Sequence, residues 1–325
     1  MKTNINPAHM VPPHEIAFDS DHRSFPDYLL PPERANEADA AIFGVPFAGG
    51  TFRLVGTNLG PVGIRDGLRY FRTYSTELDI DIAENLKVVD LGNLDVVYNS
   101  QEETYQRVSE LVKEVLSAGL IPIMLGGDHS ISEHAFKTFC NWKKGLTGVI
   151  WFDNHLDSMS DYQGDRNYCG CPLYNIIHQM AEYVRPQNIV HIGSRGFHNS
   201  SLMWKNVKEM GVNIIKADDV QIRGIKDVMD EAIELATKGT DHLYITFDID
   251  VGEAAFVPGT QCPRPGGLYP WQMLYAVRRV GQAGADAFDL MEVAPPMDVS
   301  DATIMLGASL VLEFLAGKAW QKVNA

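Results

Sequence analysis

Cysteine is scarce in this chain: Cys140, Cys169, Cys171 and Cys262 are the four among 325 residues. That excludes a disulfide framework, and Cys169 and Cys171 stand too close in sequence for an ordinary bridge. Free thiols in a reducing, cytoplasmic setting are expected. Positive charge is also short. Twenty-seven Lys and Arg residues against 42 Asp and Glu give a formal net charge of −15. The chain carries no basic footprint for nucleic acid. Long hydrophobic runs are missing too. The first residues, MKTNINPAHMVPP, have no apolar core of a signal peptide. The most apolar late stretch, residues 303–317, is interrupted by Ser309 and Glu313. It falls short of the ~20 residues that span a bilayer, so no membrane partner is expected. No internal repeat, linker or low-complexity segment breaks residues 38–325.

What is present is ordinary globular material: 45% hydrophobic, 21% charged and 10% aromatic residues. Residues 1–36, rich in Pro, His and Asp, read as an irregular N-terminal arm, and residues 37–325 as one domain. In that domain, short apolar runs alternate with longer amphipathic ones. Strands are expected near 40–43, 86–91, 121–125, 148–152, 189–192, 212–215, 242–247 and 285–290. Helices are expected at 103–118, 131–142, 225–237, 270–281 and 301–316. Alternating strands and helices imply a mostly parallel sheet with right-handed crossovers. The expected fold is therefore α/β: a single three-layer α/β/α domain around about eight strands.

Four expected strands run into unusual polar segments. These are Gly126-Gly127-Asp128-His129-Ser130, Asp153-Asn154-His155-Leu156-Asp157, Asp248-Ile249-Asp250, and Met291-Glu292. In open α/β sheets, chemistry sits beyond the carboxyl ends of the strands. Asp153, His155 and Asp157 stand at alternate positions, so an extended backbone aims all three to one side. Asp248 and Asp250 repeat that spacing. With His129, the set is four carboxylates and two imidazoles, donors that suit Mn²⁺, Ni²⁺, Co²⁺ or Zn²⁺. Four clustered aspartates repel unless cations balance them, and two divalent ions balance four carboxylates formally. Taken singly, each segment reads as a turn or a helix cap. Their coincidence at several strand ends is what points to a metal centre.

These segments resemble those of the ureohydrolases, the family of arginase and agmatinase, over about residues 40–318. The resemblance includes Gly44-Val45-Pro46-Phe47, Gly60-Pro61 with Ile64-Arg65, and Ile192-Gly193-x-Arg195-Gly196. It continues through Phe247-Asp248-Ile249-Asp250-Val251, Phe256-Val257-Pro258-Gly259-Thr260 and Pro265-Gly266-Gly267. It implies an arginase-like fold with two divalent ions, Mn²⁺ or Ni²⁺. One ion would take His129, Asp153, Asp157 and Asp248. The other would take Asp153, His155, Asp248 and Asp250, with Asp153 and Asp248 bridging. A bridging hydroxide would attack the guanidinium carbon of a small cationic guanidino substrate, releasing urea and an amine or ammonia. Glu292 matches the glutamate that grips guanidinium nitrogens. Asp128 would orient a metal ligand or the departing amine. A homo-trimer or homo-hexamer is implied, with a hetero-oligomer open.

Departures from the pattern bear on the substrate. Where relatives carry His-Gly-x-Pro, this chain reads Cys169-Gly170-Cys171-Pro172. A thiol is a poorer proton shuttle than imidazole, so either proton transfer uses water or another group, with His178 and His198 as candidates, or the leaving group needs less help. Met159 stands where arginases place a polar Asn for the amino-acid head group, which argues against arginine. Gly252-Glu253-Ala254 replaces the usual Leu-Asp-Pro, with Glu253 keeping an acidic side chain and Gly252 loosening the loop. An agmatine-like substrate, a guanidino acid, or a small or alkylated guanidine fits better. Two alternatives stay open: a catalytically impaired partner subunit, favoured by Cys169, and a deacetylase-type amidohydrolase with one ion.

Overall fold

The computed structural model describes residues 23–324. Its ten strands are β1 (Ala40–Gly44), β2 (Tyr74–Ser75), β3 (Ile80–Asp81), β4 (Val88–Asn93), β5 (Ile121–Leu125), β6 (Thr147–Phe152), β7 (Ile189–Ile192), β8 (Asn213–Ile215), β9 (His242–Asp248) and β10 (Ala287–Met291). Eight of them form one sheet in the order β4-β1-β5-β10-β9-β6-β7-β8, and β2 and β3 form a separate ribbon. Every pairing within the large sheet is parallel. All eight expected strands are present, with ends shifted by a residue or two.

Helices cover both faces, and the strand alternation shows why. Ile42, Ile150 and Phe152 point to one face, under helices Gly60–Leu68, Ile225–Thr237, Pro270–Gln282 and Ala302–Asn324. Ala41, Phe43, Val149 and Trp151 point to the other, under Gln101–Ser117, Ser130–Lys143, Pro172–Gln179 and Ser201–Met210. Trp151, Phe152 and Phe247 are fully enclosed, and each such side chain stabilises the fold by about 1.5–3 kcal/mol. Local chemistry sets the helix starts. Ser100 accepts the N–H of Glu103 at 3.2 Å, and Glu102 and Glu103 complement the dipole of helix Gln101–Ser117.

Three features differ from the sequence expectation. Helices Gly60–Leu68, Ile82–Asn85, Pro172–Gln179, Ser201–Met210 and Ala217–Arg223, and the β2–β3 ribbon, were not anticipated. These helices are ten residues or shorter, so each offers too few turns for a clear apolar period. The last helix runs on to Asn324 rather than ending near residue 316, because its far end still packs on the core through Ala319 and Trp320. By length and mean hydropathy (1.4) it could cross a membrane, yet 72% of that stretch is buried inside the protein. Of the N-terminal arm, residues 1–22 lie outside the described residues. Residues 23–36 form short turns that dock on the sheet edge: Phe25 is buried, and Leu30 bridges Val89 of β4.

Candidate metal centre

Strands β5, β10, β9 and β6 are neighbours at the middle of the sheet. Their carboxyl ends therefore bring the four polar segments into one crevice, where open α/β sheets bind ligands. His129 Nδ1 lies 3.1 Å from Asp153 Oδ2, 3.3 Å from Asp157 Oδ2 and 3.3 Å from Asp248 Oδ2. His155 Nδ1 lies 3.5 Å from Asp153 Oδ1 and 3.1 Å from Asp250 Oδ2. Two groups of potential metal ligands emerge, His129–Asp153–Asp157 and Asp153–His155–Asp250, and they share Asp153. Asp248 reaches the first group through Oδ2, while its Oδ1 accepts the N–H of Asp250 at 2.7 Å. The six residues named from the sequence thus converge.

Close packing and strained backbone hold them. A side chain on Gly127 would strike the carbonyl of Phe47, so this turn requires glycine there, and one on Gly126 would have to push the Met291 side chain aside. Asp157 and Glu292 adopt positive φ angles of 43° and 64°. Such strain in non-glycine residues concentrates at functional sites. Around the cluster, Trp151 Nε1 donates to Asp153 Oδ2 at 3.1 Å, and the His155 N–H donates to Asp153 Oδ1 at 2.6 Å. His129 Nε2 meets Thr246 Oγ1 at 2.9 Å, and Thr246 donates to Asp289 at 2.5 Å. Tyr244 donates to the other Asp289 oxygen at 2.8 Å. This chain fixes the imidazole so that Nδ1 faces the aspartates, the orientation a metal-ligating histidine needs.

The electrostatics call for cations. Burial, then Asp153, raises Asp157 well above the usual carboxylate range, and burial, then Asp250 and Asp153, does the same to Asp248. Burial opposes charge on His129 and His155, but the aspartates outweigh it and hold both imidazoles well above their usual range. Only Asp153 is held low, because its two histidines overcome its burial. Without other cations the cluster thus favours binding protons. His129 Nδ1 and Glu292 Oε2 remain buried with no hydrogen-bond partner. A hard-donor cluster with an orphaned imidazole nitrogen fits divalent ions, which would displace those protons.

A model of the arginase family matches residues 38–317. The chain belongs to the arginase family. Human mitochondrial guanidino acid hydrolase is 30% identical over 287 residues, covering 88% of this chain and 80% of the relative. Mitochondrial agmatinase of Gallus gallus is 31% identical, covering 88% and 83%. The crystal structure of formimidoylglutamase from Bacillus subtilis superposes with a TM-score of 0.89 at 27% identity, covering 96% of each chain. Arginase-family enzymes cleave C–N bonds of linear amidines at binuclear metal centres, and this chain is a hydrolase of that class.

The remaining sequence candidates fall into two groups. Glu292, Cys169 and Met159 line a cavity of about 280 Å³ over the cluster. Glu292 Oε1 accepts the His129 N–H at 3.0 Å. Burial, then Asp248 and Asp128, raises its carboxyl well above the usual range. Cys169 is buried, and burial together with Glu292, Asp128 and Asp157 pushes its thiol up, so it stays neutral. Asp128 lies behind the wall. Its oxygens accept from Gly50 N at 2.8 Å and from Ser130 N at 3.0 Å, and from the Ser130 hydroxyl. It positions the loop whose Gly50 carbonyl receives the Cys169 N–H at 2.7 Å. His198 lines the cavity, with its ring 5.4 Å from that of His155. His178 instead stacks on Tyr174 at 3.9 Å and donates its Nδ1–H to the Tyr174 carbonyl at 2.8 Å.

The cavity also holds residues that the sequence reading missed: Phe52, Arg53, Tyr168, Met203, Gln261, Cys262 and Arg264. Gln261, Cys262 and Arg264 fall between two family segments, a position that could have flagged them. Arg53 and Met203 carried no signal. The loop expected to loosen at Gly252 is firmly tied. Arg195 donates to the carbonyls of Asp250, Val251, Gly252, Arg264 and Pro265 at 2.9–3.2 Å. Glu253 accepts the N–H groups of Gly266 and Gly267 at 2.6 and 3.0 Å. A Cβ on Gly267 would lie 2.4 Å from the Gly252 backbone, so Gly267 serves a close backbone contact, while one on Gly252 would meet the side chains of Val257 and Met273.

Proposed function

We propose that His129, Asp153, Asp157 and Asp248 hold one divalent ion, and Asp153, His155, Asp248 and Asp250 a second. Mn²⁺ or Ni²⁺ suits these donors. The observation that carries this reading is the pair of ligand groups sharing Asp153. It favours two ions over the single ion of a deacetylase-type site. When bound, two such ions supply water of lowered pKa at neutral pH.

The protein's own residues set the rest of the chemistry. Glu292 Oε2, buried and unpartnered, accepts N–H from the planar amidinium head of the substrate. That cation, like the metal charge, returns Glu292 to its carboxylate form. Gripping the head fixes the carbon for attack, which is worth far more than binding alone. Cys169 stays a thiol and shapes the wall beside the head without moving protons. His198 is the uncharged imidazole at hand: burial, then Arg264 and His155, lowers its pKa. Its Nε2 accepts the N–H of Arg264, so the neutral ring carries its proton on Nδ1 and acts there as a hydrogen-bond donor, not as a base. The products are urea and an amine. A homo-trimer or homo-hexamer in the cytoplasm completes the proposal, with sedimentation the measure of assembly.

The test is metal content with urea release. Protein loaded separately with Mn²⁺ and Ni²⁺ is expected to hold two ions per chain and to release urea from at least one guanidino compound. Two ions without urea from any compound would favour the impaired partner-subunit reading. One ion would favour the deacetylase-type site.

A further inference from the structure

The cavity has two electrical ends. Its buried floor carries Asp157, Asp248, Asp250 and Glu292. Its more exposed mouth carries Arg53 and Arg264. Arg53 donates to the Gln261 carbonyl at 2.7 Å. Arg264 donates to the Pro263 carbonyl at 3.1 Å and to His198. Both guanidinium groups are therefore positioned, yet among the described residues neither has a carboxylate partner. That sets them apart from Arg65, Arg107, Arg223, Arg278 and Arg279, which all pair with acids.

We infer that Arg53 and Arg264 receive an anionic group on the tail of the substrate, so that the favoured substrate is an ω-guanidino acid rather than a guanidino amine. This rests on the ureohydrolase reading above. Guanidinium groups bind carboxylates with paired N–H bonds, and two of them repel an ammonium tail. Met159 and Met203 line the same cavity and suit the methylene chain between head and tail. The reaction balances with water alone. A C–O bond forms at the guanidinium carbon and the bond to the substituted nitrogen breaks. Both water protons end on the departing nitrogen, giving urea and an ω-amino acid whose carboxylate is unchanged.

The experiment compares 4-guanidinobutanoate, agmatine and 1-butylguanidine on the metal-loaded protein. The acid is expected to exceed agmatine in kcat/KM by about tenfold or more. Arg53→Gln should raise KM for the acid by about tenfold and leave 1-butylguanidine within about twofold; Arg264→Gln should raise KM for the acid by a similar factor, and because Arg264 also holds His198 its effect is read on KM rather than on kcat. Binding is read without turnover by calorimetry. 4-Aminobutanoate should bind at least about tenfold more tightly than 1,4-diaminobutane, and both Gln variants should erase that preference while Arg→Lys variants keep part of it. Urea from agmatine at equal or better efficiency overturns the inference and leaves the ureohydrolase reading intact. So does a preference for the acid that survives both Gln variants. If no compound yields urea with two ions bound, the ureohydrolase reading fails. The calorimetric preference then decides the inference alone.

Discussion

At the end of outer strand β4, Arg65 donates to both oxygens of Asp90 at 2.7 and 2.8 Å, and to Asn93 at 2.6 Å. Beyond β7, Arg195 distributes its N–H groups among the surrounding loop carbonyls. Here the sheet edge is closed upon itself. Beyond the central strands β5, β6, β9 and β10 the opposite holds. Asp157, Asp248 and Glu292 crowd together with raised pKa values, and His129 Nδ1 and Glu292 Oε2 lack partners. Both edges are polar, and both match family segments. Satisfaction separates them: groups bonded within the protein build the frame, and groups left orphaned await a ligand.

Four measurements test that division. The largest effect belongs to Asp153→Asn, the residue shared by both ligand groups. It should lower kcat/KM by more than about a thousandfold, or ~4 kcal/mol, with metal content falling below two per chain. Full activity with two ions retained would remove Asp153 from the centre. Next comes Arg195→Ala at the closed edge. It removes a donor from five loop carbonyls, of which those of Val251 and Arg264 keep a backbone N–H, and should destabilise the protein by about 3 kcal/mol in denaturant titration. If stability holds and only metal is lost, the frame and the site are not separable as described. Thr246→Val removes the partner of His129 Nε2 while keeping its volume. Metal affinity should fall about 10- to 100-fold by competitive chelation, with little change in denaturant midpoint for the metal-free protein.

The last measurement is a pH dependence confined to the open edge. In the metal-free fold, Asp157, Asp248 and Glu292 have raised pKa values. The stability they contribute is complete below the unfolded carboxylate pKa of about 4 and is lost as pH rises through their folded values. His129 and His155 are raised as well, so their contribution, complete below about pH 6.5, is lost in the same direction. Asp153 is lowered and runs oppositely. Chelated protein should therefore melt at falling temperature from about pH 5 to about pH 8, each group contributing up to ~1.4 kcal/mol per pH unit while it titrates. Metal-loaded protein should show a flatter profile by calorimetry. Parallel profiles would mean that the cluster does not control this dependence.

Much of the central edge was legible in the sequence because its residues are consecutive. Asp153, His155 and Asp157 stand on one stretch, as do Asp248 and Asp250, and a strand end turns such spacing into convergence. Asp128 was legible as a polar residue beside His129, but its use was not. Only the fold shows its carboxylate occupied by Gly50 and Ser130. The mouth was least legible. Arg53 and Arg264 are 211 positions apart, on loops without periodicity, and a lone surface arginine carries no signal of its own. His178 and His198 were equal candidates in the sequence. Their difference is that one lies on a helix against Tyr174 and the other beside His155.

By itself the sequence determined the alternation of strands and helices, and with it a parallel sheet with helices on both faces, because apolar periodicity reports local burial. It also determined the stock of hard metal donors, which is a matter of residue type. Tertiary structure alone decided that β5, β10, β9 and β6 lie side by side, so that segments far apart in the chain share one crevice. It alone decided which polar groups are satisfied and which are left over. Partnership across the fold depends on distances of about 3 Å between residues distant in sequence, and no local pattern encodes those.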